Sequence, residues 1–488
     1  MTNFKILFFS VLFSVLGNAQ VGINTASPDP SAVLDLQFKT GTPAGMLTPR
    51  MTTAQRLAVS LPANGLLVYD TDLKTFVYNS GTSAVSVWTP INSAVTGRLN
   101  FKRIKSTDVL STVLAAELTA GAGSKYKLNT NTLYEINGTV SLDKPIDLNN
   151  AYIQGIDSGE DRLTSTGNIF DGTTGGTIKG LTLISSGKVF NITGATKAEN
   201  LIFRDCIVAS SANVGTIDNM GLVFLSIVQF SGNTTGITYS NINQLLLSNM
   251  GWFGNNAGTF ETLTGTFGLV QKQGGFSQVE AIATAGFDVS SNPTINGDAV
   301  MESVVFTGAN TAAYIKPYTT GTYTGYNFNN KWNIRSAGIP IETDAVSVGD
   351  VNLDSPYGTG VTTALTTGTA VKIGGTTVSN NFFRASNDGV DNRLKYLGSK
   401  KRFFTVNAVA SFRGTVNANT IYVFYIALNG TPVQRSKTYI FTTNSVDVVA
   451  VPVQSIIELA PNDYVEVFAQ RYSGSSDMLT VSLSLFMK

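Results

Sequence analysis

From about residue 130 to residue 310 the chain repeats short apolar runs separated by Gly, Asn, Ser and Thr. The first apolar residues of successive runs are Leu181, Leu201, Leu222, Leu245, Phe267, Phe287 and Val304, at spacings of 20, 21, 23, 22, 20 and 17. A second edge is marked by Asn213, Asn233 and Asn256, each followed closely by a β-type pair. A period near 21 residues suits one coil of a parallel β-helix, three short strands joined by turns. Helical solenoids need longer units, and the L-x-x-L-x-L spacing of leucine-rich repeats is absent. Burying about five apolar side chains per coil yields roughly 1.5–3 kcal/mol apiece. Most of that is offset by ordering the coil's residues, so one coil does not fold alone and a stack does. A β-sandwich of similar strand spacing is the competing reading.

Side chains alternate along a strand. If the first and third apolar residues of each run face inward, Thr182, Ile202, Val223, Leu246 and Val305 face outward. Four of these five are aliphatic, an unusual stripe to leave in water. Ile202, Val223, Leu246 and Val305 are therefore the expected oligomer face, packed in the simplest case against identical copies in a homotrimer. A covering loop from the 311–380 segment is the alternative.

The flanks have different patterns. Alternating runs at 66–69 and 75–78 surround Asp70-Thr71-Asp72-Leu73-Lys74, a hairpin signal. A short helix is expected between Pro49 and Leu57, with Thr52 or Thr53 as N-cap and Arg56 late in it. Residues 108–120 read as the best helix, with Leu110, Val113, Leu114 and Leu118 on one face, Ser106 or Thr107 capping it and Gly121 ending it. Such a helix suits the open end of a sheet stack, where unpaired backbone groups recruit other chains. Residues 311–380 read as short strands or extended linker. From residue 381 to 488 about eight strands with turns at Asn429-Gly430 and Pro461-Asn462-Asp463 give a jelly-roll-like sandwich.

Composition narrows the chemistry. Only 13% of the 488 residues are charged, 33 basic against 32 acidic, so no electrostatic footprint for nucleic acid is present. The absence of histidine removes the usual general base and zinc ligand. Cys206, the single cysteine, sits in a strand-like run and is expected to be a small buried hydrophobe. Residues 1–19 read as a signal peptide: Lys5, an apolar core over 6–16, then Gly17-Asn18-Ala19. That core is too short for a transmembrane span.

β-helices often act on polysaccharides, and glycoside hydrolysis needs paired carboxylates. Asp157, Glu160 and Asp161 cluster in a Gly-containing turn, where a solvated loop is the plainer reading than a glycosidase site. No calcium-loop motif occurs, so no metal, cofactor or catalytic residue is assigned. Trp252-Phe253 aligns with apolar pairs one and two coils earlier, which favours core stacking over a sugar platform.

Two stretches carry resemblances. VGINT…LDL…GMLTPRMTTAQR…PANGLLVYDTDLKTFVYN resembles the leader module of exported Bacteroidetes surface proteins, and related openings precede phage tail-fibre-like regions. FYIALNGTPV…VVAVPVQSIIELAPNDYVEVFAQ…LTVSLSLFMK resembles the tumour-necrosis-factor-like or complement-head-like sandwich of tail-fibre tips. The run VFLSIVQFSGNTTGITYSNINQLLLSNMGWFGNN is similar to phage tail-appendage proteins. These resemblances imply trimers whose tips bind a cell-surface glycan or receptor.

The expected fold is all-β: a right-handed parallel β-helix capped by a short N-terminal helix, followed by a C-terminal jelly-roll β-sandwich. The expected divisions are a signal peptide (1–19), a leader or attachment module (20–95), the β-helix with its capping helix (96–310), a β-rich connecting segment (311–380) and the sandwich (381–488). The expected function is a non-enzymatic, secreted or cell-surface adhesin. A phage or prophage tail fibre carried on a virion is the alternative, and a secreted polysaccharide-degrading enzyme the second.

Overall fold

The computed structural model describes residues 21–37, 41, 45–91 and 100–488. The expected signal peptide at 1–19 lies outside the described residues. The chain divides into two compact units, residues 1–99 and 100–488.

In the first unit, Val21–Ile23 pairs in parallel with Leu34–Leu36. A four-stranded sheet follows, in the order Arg50–Met51, Leu67–Asp70, Thr75–Asn79, Trp88–Pro90. The expected hairpin is its centre, with Leu67 opposite Tyr78 and Asp70 opposite Thr75. The helix Thr53–Leu57 is shorter than its sequence signal because Arg50–Met51 is in the sheet. Thr52 caps it in a reciprocal box with Gln55.

The second unit opens with a parallel β-helix. One ladder runs through Phe101–Lys105, Leu133–Asn137, Tyr152–Gln154, Gly176–Lys179, Asn200–Ala209, Leu222–Ser231, Gln244–Trp252, Leu269–Gln278, Ala299–Thr307 and Trp332–Ala337. The other runs from Tyr126–Lys127 through Asn213–Asp218 and Gly258–Thr264 to Ile315–Lys316. Their inner faces share one apolar core extending from Ile104 to Ile334. The long strands of the first ladder bend where a residue adopts the left-handed conformation: Asp205, Ile227, Asn249, Gly274 and Ser303 in successive coils. Each bend turns the chain onto a new face without ending the ladder.

The register differs from the sequence-derived period. Leu201, Val223, Leu245, Val270, Ala299 and Trp332 stand one above another. Their spacings widen as 22, 22, 25, 29 and 33 residues, because turns lengthen while rungs do not. Leu181 and Val304 instead flank the bend, and Phe287 belongs to the other ladder. Leu222 stands one place before that column and Phe267 pairs with Ile295 in a separate short sheet, so the steady count near 21 mixed residues from different columns.

The capping helix is two pieces, Leu110–Val113 and Ala115–Ala120, broken at Leu114. Leu110 and Leu114 are buried, and Val113 and Leu118 pack on the core. Neither Ser106 nor Thr107 caps it: Val109 is the N-cap, with no side-chain bond. Glu117 is buried, and accepts from Lys102 Nζ at 2.7 Å and Tyr134 Oη at 2.8 Å.

The C-terminal sandwich is antiparallel. One sheet orders Phe382–Phe383, Val348–Asp354, Met478–Met487, Arg402–Gly414 and Val449–Leu459. The facing sheet orders Ala385–Ser386, Leu394–Tyr396, Tyr464–Ser473, Thr420–Leu428 and Thr431–Pro432. Part of the expected connecting segment is sandwich, since Val348–Asp354 pairs with Met478–Met487 and Ala370–Lys372 with Tyr464–Ser473. No helix among the described residues is long and apolar enough to cross a membrane.

Candidate functional site

The register fixes which side chains leave the first ladder. In the segment before the bend, the outward column is Phe101, Leu133, Tyr152, Thr177, Ile202, Phe224, Leu246, Gln271, Val300 and Asn333. Phe101 is 38% exposed and the other nine are half-buried. Seven of the ten are aliphatic or aromatic, which makes a predominantly apolar stripe along the stack interrupted at Thr177 and Gln271, where isolated apolar residues would need no explanation. The next outward column, which includes Gln154, Lys179, Arg204, Ser226, Ser248, Gln273, Glu302 and Arg335, is polar. An apolar seam thus runs beside a polar margin.

Ile202 and Leu246 lie on this stripe. Val223 does not: it is fully buried, paired with Leu201 and Leu245, and Phe224 takes the outward place. The run Leu222-Val223-Phe224 begins one residue earlier relative to its rung than Leu201-Ile202-Phe203, and a one-residue slip exchanges the faces of a strand. Val305 is 44% exposed but lies beyond the bend, paired with Phe276. Thr182, the polar exception in the expected stripe, is buried and donates to Ser158 O.

The acidic turn is built for structure. Asp161 is buried, and its carboxylate accepts from the backbone N–H groups of Gly138 at 2.9 Å, Ile156 at 2.7 Å and Asp157 at 3.0 Å. Burial alone would raise its pKa, but the donors at Asp157, Gly138 and Ile156 hold it below the usual carboxylate range. Asp157 accepts from Gly159 N at 2.7 Å, closing the same loop. Asp161 is therefore a fixed anion pinning a turn, a poor proton donor, while Glu160 is exposed.

Cys206 is buried, and burial pushes its thiol up to about 12, so it is no nucleophile. Trp252 is fully buried and stacks on Phe260 at 4.6 Å, as core packing requires. Its neighbour Phe253 faces out and meets Phe276 edge-on at 5.1 Å.

Sequence reasoning missed one internal pair. Lys272 stands in a column with Leu247 and Met301, and Glu261 in one with Ile237 and Phe287. The two meet across the core with Nζ 2.8 Å from Oε2, both essentially without solvent exposure. Burial raises the Glu261 pKa despite the opposing charge of Lys272. The signal available was a charged residue at an inward position of a strand, legible only once register is known.

Residues 22–107 match the family described as phage tail like trimerisation region. No curated protein matches the sequence. Among solved structures, the chain is similar to the enzymatically active domain of tailspike protein 4 from bacteriophage CBA120, at 8% identity and a TM-score of 0.27, over 91% of this chain and 76% of that one. It is similar to the tailspike of Acinetobacter baumannii phage AM24 at 10% identity and a TM-score of 0.25, over 87% and 91%. A tailspike of Acinetobacter baumannii bacteriophage Fri1, a capsular polysaccharide depolymerase, matches at 7% identity and a TM-score of 0.20, over 90% and 98%. The chain thus combines a parallel β-helix with a stretch, residues 22–107, that is similar to a phage tail trimerisation region. The expectation that it is not an enzyme is overturned by this set, which includes an enzymatically active domain and a depolymerase.

Proposed function

We propose that the chain is a homotrimeric, phage-tail-like receptor-binding protein that works on a virion or outside the cell. Residues 22–107 and the outward stripe hold three copies together, and the sandwich end engages a cell-surface glycan or receptor. The observation that carries this reading is continuity: Phe101, the first residue of the stripe, lies within the matched trimerisation region. On this reading the face comprises Ile202 and Leu246 with Phe224 in place of Val223, and Val305 is not part of it. The exported adhesin is the less supported reading, since the match over 22–107 is to a phage tail region.

Light scattering of the full chain tests the assembly, and a stable monomer overturns it. Incubation with purified bacterial surface polysaccharides then reads retention and reducing-end release in one sample. Retention supports attachment, and release identifies a depolymerase.

A further inference from the structure

At the junction of the β-helix and the sandwich lies a cleft of about 810 Å³, within the ~300–1,000 Å³ typical of small-molecule sites. Its lining comes from the loop 322–326 on one side and from residues 379–383, which lead into the edge strand Phe382–Phe383, on the other. The aromatic part is an ordered stack. Tyr326 lies parallel to Phe383 with ring centroids 3.9 Å apart, and Tyr323 meets Phe383 edge-on at 5.3 Å. Phe383 is buried, while Tyr326 and Phe382 remain partly open.

The polar part is unusually idle. The side-chain amides of Asn380 and Asn381 have no partner among the described residues. Ser379 Oγ is buried without a hydrogen bond, although buried hydroxyls are normally paired. No charged residue lines the cleft. A ligand taken here is therefore uncharged, has an apolar face to lie on a tyrosine ring, and carries hydroxyls for the free amide donors and acceptors.

The frame is preset. The carboxylate of Glu342 accepts from Asn327 N at 2.8 Å and Phe328 N at 2.9 Å, fixing the loop from behind. Thr322 Oγ1 donates to Tyr326 O at 3.2 Å, and Tyr326 N donates to Tyr323 O at 3.0 Å, closing the loop on itself. On the other wall, the buried Arg384 donates to Trp332 O in the last rung, to Glu342 O and to Asp344. Both walls are thereby tied to the end of the β-helix, and a site so held loses little entropy on binding.

We propose that this cleft is a binding site for a neutral saccharide, with Tyr326 as the stacking platform and Asn380 and Asn381 as the hydroxyl-reading groups. The inference rests on the receptor-binding half of the proposed function, and locates it at the junction instead of the sandwich tip. The test is calorimetric titration of the full chain with glucose, galactose, N-acetylglucosamine and their neutral oligomers, using wild type, Tyr326→Ala and Asn381→Ala. Asn381 is exposed, so its variant keeps the fold and controls for any disturbance from Tyr326→Ala. The expected result is saturable binding of at least one neutral sugar, weakened about tenfold or more by each substitution. Binding unchanged in both variants overturns the cleft while leaving receptor binding elsewhere intact. Wild-type indifference to every neutral sugar also overturns it, and whole-cell binding of the same sample then tests the receptor reading separately.

Discussion

Asn256 sits directly over Asn233, one coil earlier, and its Oδ1 accepts from both the backbone N of Asn233 at 2.8 Å and its Nδ2 at 2.9 Å. Asn256 Nδ2 donates to Phe230 O at 2.7 Å, as Asn233 Nδ2 donates to Val208 O at 2.9 Å. The column continues downward, because Ser211 N donates to Asn233 Oδ1 and Ser185 N to Ser211 Oγ, both at 3.0 Å. It is an internal polar ladder at a turn with no regular strand pairing. Both asparagines are buried, so every amide group they satisfy is shut off from water.

Replacing Asn256 by Ala leaves the buried backbone N–H of Asn233 without its acceptor and takes one of two donors from Phe230 O. The expected destabilisation is about 1–3 kcal/mol, the cost of one buried polar group left unpaired. Asn256→Asp keeps the acceptor, loses the donations to Phe230 O and Phe253 O and buries a charge, so it should be at least as damaging at neutral pH. Urea denaturation curves measure both, and a neutral Asn256→Ala refutes the ladder's structural role.

The stripe predicts an assembly phenotype without a folding phenotype. Leu246→Lys and Phe224→Lys put a charge on a face that is half-open in the single chain. Each should shift the full chain from trimer toward monomer while the circular dichroism spectrum stays unchanged. Val305→Lys serves as the control beyond the bend and should leave the mass alone.

Glu261 and Lys272 replace aliphatic or aromatic residues in two facing core columns. Lys272→Met alone strands a buried carboxylate and should cost about 3–5 kcal/mol, as breaking buried pairs does. Glu261→Ile with Lys272→Met matches the neighbours in each column and should recover most or all of that loss. Failure of the double variant to outlast the single one in thermal unfolding would show that the pair contributes more than it takes to desolvate it.

Ile227 holds φ near 54° at the bend, where successive coils carry Asp205, Asn249, Gly274 and Ser303. A β-branched residue is disfavoured there by roughly 1–2 kcal/mol, and the side chain is 54% exposed, so burial does not offset it. Ile227→Asn should raise the melting temperature by a few degrees; a fall would mean that Ile227 packs against another copy.

Strong acid should destabilise the first unit through Asp70. Burial alone would raise the Asp70 carboxyl, but the backbone N–H of Leu73, the Arg56 guanidinium, the Thr53 hydroxyl and the backbone N–H of Asp72 outweigh it and bring the pKa down to about 2. The folded form therefore binds its proton more weakly than the unfolded chain. The stability this group contributes is complete above the ordinary aspartate value and is lost as pH falls through about 2. Asp70→Asn should flatten that acid limb in a pH series of the full chain, read from Trp88 fluorescence beside Arg56.

Much of the architecture was legible because it rests on period and alternation. The hairpin around Asp70, the capping of Thr53–Leu57 by Thr52 and the burial of Trp252 followed from local rules. Register did not. A run such as Leu222-Val223-Phe224 offers three apolar residues for two inward places, and nothing within the run says which is surplus. Only pairing with Asn200 and Gln244 decides that Phe224 is. The second edge slipped in the same way, since Ser211, not Asn213, precedes Asn233 in the polar ladder. The bends escaped notice because Asp, Ile, Asn, Gly and Ser share no side-chain property, only a backbone state. The junction cleft was beyond reach, as its walls come from segments more than fifty residues apart.

From Leu201 to Trp332 the rungs of the first ladder keep their column assignments while the intervals between them grow from 22 to 33 residues. Length in this molecule is therefore counted in whole steps. Its ten consecutive strands make nine steps of about 4.8 Å, or roughly 43 Å of reach. Adding or removing a few residues at a turn changes the outline and leaves that reach untouched. Removing one complete coil would shorten it by a single step and bring every surviving seam back into alignment.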